Sequence, residues 1–162
     1  MIGSPTTRGR RRTRVVGFTL VEILVVVAIV GIVLAVVAPN LFPTDAEMAR
    51  HEAANVALAL ERARDQAWFG GRATAVSFEP GRLREWRLVG DRWQEDTTQA
   101  TALSPALAVE RVNVDGQDLK GQERLLFLAD GMGSPFSVSL RLRGIAWAVE
   151  GDAAGAITMS AR

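Results

Sequence analysis

The sequence predicts an α+β protein: a long apolar helix at the amino terminus continues into an amphipathic helix, which packs on a carboxy-terminal antiparallel β domain. Three observations predict it. Residues 23–43 hold no ionisable side chain, small apolar residues recur at alternating spacings of four and three from Ala49 to Ala67, and beyond Gly71 the pattern changes to period two. The chain divides accordingly into residues 1–17, 18–43, 44–71 and 72–162.

The run GFTLVEILVVVAIVGIVLAVVAPNLFP, residues 17–43, carries a single charge, Glu22. At about 1.5 Å per residue it crosses a hydrocarbon core of roughly 30 Å as a helix. Its valines and isoleucines are a liability for a helix in water but acceptable in lipid, where intrahelical bonding is the way to satisfy the backbone. Arg8, Arg10, Arg11, Arg12 and Arg14 precede it without any acid, so against a total of +1 the rest of the chain carries −4. Arginines on that side place it in the cytoplasm and the acidic remainder across the membrane. The length of the run, with no small-residue A-x-A site before the proline, argues against a secretory signal peptide. Pro39 and Pro43 each remove a backbone donor and predict a bend or pause.

Thr44 followed by Glu47 has capping-box spacing and starts the second helix at Asp45. Ala49, Ala53, Val56, Leu60, Ala63 and Ala67 make one face of small side chains, suited to close packing on a sheet. Arg50, Glu52, Glu61, Arg62, Arg64 and Asp65 line the solvated face, and Gly70 and Gly71 stop the helix. Strands are predicted over 74–79, 83–89, 92–94, 107–114, 124–128, 136–142, 145–150 and 156–160. The turns between them fall at Pro80-Gly81, Gly90-Asp91, Asp115-Gly116, Asp130-Gly131, Arg143-Gly144 and Gly151-Asp152, and 95–105 reads as a polar loop. Trp86, Leu88 and Trp93 are the core candidates of the first hairpin, and core packing is the default for Trp68 and Trp147 too.

The composition removes most chemistry. With no cysteine there is neither a disulfide nor a thiolate metal site, and the single histidine, His51, excludes most histidine-based mechanisms. No G-x-S-x-G elbow, phosphate loop or H-E-x-x-H is present. Asn113, Asp115 and Asp118 lack the spacing and the bidentate glutamate of a calcium loop, which leaves a solvated turn. No catalytic residue, metal or cofactor is expected. What remains is Glu22: a carboxylate in an apolar segment costs on the order of 2.5–3.5 kcal/mol at the bilayer centre, less near an end, and such groups usually have a partner.

The segment GFTLVE, after a basic stretch and before the apolar run, resembles the type III signal of prepilins. The resemblance implies that a prepilin peptidase cuts after Gly17 on the cytoplasmic face and methylates the new amine of Phe18. It makes Glu22 the fifth mature residue, where pilin-like subunits carry a glutamate, and puts Pro39 where many pilins have a helix-bending proline. Val16 departs from the pattern, since a basic residue is common there. A methylated amine stays cationic, so Glu22 of one subunit and the Phe18 amine of its neighbour would offset each other's burial and fix axial register.

LLFLADGMGSPFSVSL, followed by GDAAGAITM, resembles the carboxy-terminal region of type II secretion minor pseudopilins of the H type, through Phe127, Gly131, Pro135, Phe136, Gly151, Asp152 and Gly155. This implies a pilin-like fold and a non-enzymatic subunit, single-pass in a bacterial inner membrane, with its amino terminus cytoplasmic and its globular domain periplasmic. Its implied partners are prepilin peptidase, other major and minor pseudopilins and an inner-membrane assembly platform, and its implied work is a pseudopilus that drives protein export across the outer membrane. The broader family includes FimT-like minor pilins of type IV pili, which makes a DNA-uptake subunit the rival. That rival needs a nucleic-acid patch built from Arg82, Arg84, Arg87 and Arg92; the interspersed acids and the −4 balance argue against one.

Overall fold

The computed structural model describes residues 19–37, 43–120, 123–130 and 133–162. Gly17, Phe18, Pro39 and Gly131, with the leader 1–17, lie outside the described residues. The chain forms two units, one up to Phe42 and one from Pro43 to Arg162.

The first unit contains α1, Leu20–Val37, which is apolar on every side and has no buried residue. It starts at Thr19, whose hydroxyl accepts a hydrogen bond from the Glu22 amide at 3.2 Å.

The second unit opens with α2, Asp45–Gly70. Its capping box is closed in both directions: Glu47 N–H donates to Thr44 Oγ1 at 3.2 Å, and Thr44 N–H donates to Glu47 Oε2 at 2.7 Å. Gly71 ends the helix in the left-handed region at φ 59°, so its amide and the next reach back to the carbonyls of the last turn. The six small residues of the predicted face are all buried, joined by Ala57 and Ala59.

Among the described residues ten strands follow: β1 Thr74–Glu79, β2 Arg82–Val89, β3 Arg92–Glu95, β4 Thr101–Ala102, β5 Leu107–Val114, β6 Gln117–Asp118, β7 Leu125–Phe127, β8 Phe136–Leu142, β9 Ile145–Gly151 and β10 Ile157–Ala161. They make two antiparallel sheets. One runs β3-β2-β1-β7 with β4 also against β2; the other runs β10-β9-β8-β5-β6. The buried face of α2 covers both, meeting Val76, Leu83 and Leu125 of the first sheet and Val138, Leu140 and Val149 of the second in one core. The Thr74 hydroxyl donates to the Ala63 carbonyl at 2.7 Å, pinning the start of β1 under the helix. At the hairpins β5–β6 and β8–β9, Asp115-Gly116 and Arg143-Gly144 both have positive φ at the two central positions, the geometry whose twist suits a two-residue hairpin.

Four expectations are corrected. Trp86, Leu88 and Trp93 are half-buried on the outer face of their sheet and do not join the core. Side chains alternate along a strand, so with Leu83 facing inward the next inward position is Glu85; the even-numbered residues face out. Trp68 is exposed on α2, whereas Trp147 does pack partly against the core. The stretch 95–105 contains β4, because Thr101 and Ala102 pair with Leu83 and Arg82. Gly151 is the last residue of β9 and no part of the turn, which is built by Asp152 to Gly155: Asp152 Oδ1 accepts from Ala156 N–H at 2.8 Å, and Gly155 has φ 86°. Gly151 is needed for space, since a Cβ there would lie 2.1 Å from Phe136 Cε1. The short β6 is an addition to the predicted strands.

Candidate functional site

Glu22 is the one expected site residue among the described residues. It occupies the third position of α1, where Thr19 and Glu22 repeat the T-x-x-E spacing that caps α2. The two caps differ. At α2 the Glu47 carboxylate turns back onto the Thr44 amide and hydroxyl, and those hydrogen bonds hold it below the usual carboxylate range. At α1 the Thr19 hydroxyl half is present, but among the described residues the Glu22 carboxylate accepts no hydrogen bond and meets no cation. Thr19 was not singled out in the sequence, although its spacing to Glu22 is the signal that finds it. The result is a carboxylate close to the start of an exposed apolar helix, uncommitted to its own cap. Gly17, Phe18 and Pro39 lie outside the described residues.

On the globular unit, three of the four arginines of the nucleic-acid reading are already paired. Arg82 bridges Glu79 at 2.8 Å, Arg84 bridges Glu79 at 2.7 Å and also Glu95, and Arg87 lies 3.3 Å from Asp96. The Arg84 bonds draw the Glu79 and Glu95 carboxyls below their ordinary values. On the outer face of this sheet Arg82 and Arg84 are thus matched by Glu79 and Glu95. Trp86 sits on the same face, donating to Ser77 Oγ at 2.9 Å, with the guanidinium carbons of Arg124 and Arg84 lying 3.9 Å and 4.9 Å from its ring centroid.

Asp118, one of the residues weighed for calcium, accepts from Asn113 Nδ2 at 3.0 Å and faces Arg111 at 3.6 Å. His51 is exposed on α2, and no cluster of three metal-ligating side chains occurs among the described residues. A shallow depression of about 1020 Å³ is lined by Trp93, Asp115, Asp118, Lys120, Glu123 and Arg124. Charges of both signs are mixed there, with no nucleophile set beside a base.

A buried acid went unnoticed in the sequence. Glu85 is 2% exposed, its nearest cation is Arg62 Nε at 3.3 Å, and neither of its oxygens receives a hydrogen bond. Burial raises its carboxyl above the ordinary value against the pull of Arg62. Arg62 also donates to Thr101 Oγ1 at 2.9 Å, so this pair ties α2 to β2 and β4.

Two family matches lie on this framework. The prokaryotic N-terminal methylation motif matches residues 17–38, and the type II transport protein GspH matches residues 52–155, from the first turns of α2 to the last hairpin. The chain belongs to the GspH family. Among solved structures, this GspH-family fold is similar to the minor pseudopilin EpsH from the type 2 secretion system of Vibrio cholerae, at 22% identity and a TM-score of 0.56, covering 70% of this chain and 96% of that one. It is also similar to E. coli GspH in solution, at 21% identity and a TM-score of 0.56, covering 70% and 88%. At these identities the likeness is one of fold. No curated protein matches the chain. The apolar helix and the methylation motif make it a membrane-anchored protein.

Proposed function

We infer that the chain works as a minor pseudopilin of the type II secretion system. Prepilin peptidase cuts between Gly17 and Phe18 on the cytoplasmic side and methylates the Phe18 amine. The segment 18–43 then holds the subunit in the inner membrane, amino terminus inside and β domain in the periplasm. With other major and minor pseudopilins, on the inner-membrane platform, it enters a periplasmic filament that drives export across the outer membrane.

The observation that carries this reading is the state of Glu22: the acid of an apolar helix, with no hydrogen bond and no cation on its carboxylate among the described residues. In a filament the neighbour's methylated amine supplies the missing cation, and each charge offsets the other's desolvation. Membership of the GspH family and the methylation motif support the same reading. The type IV pilus rival loses support because Arg82 and Arg84 are paired with Glu79 and Arg87 with Asp96.

The amino terminus tests it. Subunits isolated from cells with prepilin peptidase are expected to begin at N-methylated Phe18, and those from peptidase-deficient cells at Met1 or Ile2. Met1 or Ile2 in both overturns the reading.

A further inference from the structure

Two large apolar side chains at the end of α2 have no work in the fold. Trp68 and Phe69 are 61% and 85% exposed, and their rings stack with centroids 6.1 Å apart and planes 11° from parallel. Rings of this kind bury about 150–250 Å² each when covered, so the exposed fractions leave roughly 300 Å² together. That is the scale, about 300–600 Å², at which a surface patch is often functional.

The patch has a sign. Aromatic faces are electronegative, and the stack stands at the carboxy-terminal end of α2, where the helix dipole is also negative. No basic residue lies in that last turn. Asp65, one turn before Phe69, is offset by Arg64 at 2.7 Å, so the sign rests on the rings and the helix end. Arg72, just past the cap, is exposed and lies over neither ring. Elsewhere in the same domain Trp86 has two guanidinium groups over it, both from this chain; over Trp68 and Phe69, among the described residues, there is none.

We propose that the Trp68–Phe69 stack is a docking site for an arginine presented by another subunit of the assembly. A planar guanidinium stacks on an indole face better than an ammonium does, and it complements the negative end of the helix at the same time. The proposal rests on the filament reading above and names a contact within it.

The test uses the full-length chain in its native host, with p-benzoylphenylalanine replacing Phe69. After irradiation the adduct is mapped by mass spectrometry, and the amino terminus is read in the same sample. The expected adduct is on a different pseudopilin, within a few residues of an arginine. Trp68→Ala, or alanine at that partner arginine, should lower its yield about fivefold, while Trp68→Phe retains most of it. Unfolding of purified Trp68→Ala should match the parent, separating lost docking from lost folding. An adduct on lipid, on a second copy only or on a segment without arginine overturns the proposal, as does no adduct or a yield indifferent to Trp68→Ala. An adduct of the expected kind on a subunit still beginning at Met1 overturns the filament reading and leaves the contact standing.

Discussion

Gly151→Ala should destabilise the globular unit through one collision. Carbon atoms settle at about 3.5–4.0 Å from one another. The new methyl would lie 2.1 Å from Phe136 Cε1, 2.4 Å from Cζ and 2.7 Å from Cδ1, so the ring must retreat by more than about 1 Å. It has nowhere to go. Phe136 is 7% exposed and stands edge-on to the buried Phe127, centroids 6.0 Å apart at 88°. Overpacking of a well-filled core costs about 1–3 kcal/mol, and a ring held on both sides places this case near 3 kcal/mol. For a unit of this size that lowers Tm by roughly 10 °C. Residues 43–162, which hold all the buried residues described, are the material for thermal and urea unfolding. In a Phe136→Leu background the same alanine should cost less than about 1 kcal/mol, a coupling of about 2 kcal/mol between contacting residues. Equal costs in both backgrounds would refute the assignment of Gly151 to ring packing.

Three further outcomes follow from other contacts. Glu85 has a folded pKa above its unfolded one, so its contribution to stability is full below about 4.5 and is lost as pH rises through the folded value. Glu85→Gln should therefore gain on the parent between pH 4 and pH 7, read from urea midpoints, whereas Arg62→Ala, which strands the acid, should cost about 1–3 kcal/mol at pH 7. Thr44→Ala removes the hydroxyl half of the α2 capping box, leaving the backbone N–H of residue 44 on Glu47, and should cost about 0.5–2 kcal/mol in the same assay. Glu22→Ala should leave unfolding of the globular unit unchanged, since the core residues of that unit run from Ala49 to Val149, yet reduce recovery of the subunit in sheared filaments at least tenfold against wild type.

The parts of this molecule governed by local rules could be read from the sequence. The α2 boundaries, its cap and its buried face followed from Thr44, Glu47, Gly71 and the alanine spacing, because each is decided within one or two turns. The strands β5, β8 and β9 followed from their alternation, to within a residue. The inward face of β2 could not, because the pattern offers Trp86 and Leu88 against Leu83, and the choice depends on Arg62, distant in sequence, meeting Glu85. Gly151 misled for a similar reason: glycine beside aspartate signals a turn, and only the ring of Phe136, on another strand, shows it is there for room. At the site, Glu22 stood out by its isolation, but that its own cap leaves it free needed coordinates.

The bare flank of α1 bears on how a secretion filament is powered. Hydrocarbon tails and neighbouring apolar helices are equivalent surroundings for such a rod, so leaving the bilayer for the fibre gains almost nothing from solvent exclusion. The balance between storage and polymer then turns on a few polar encounters and on close helix contacts. An exchange so nearly level can run in either direction, and the lone acid near the start of the rod, Glu22, is placed to tip it.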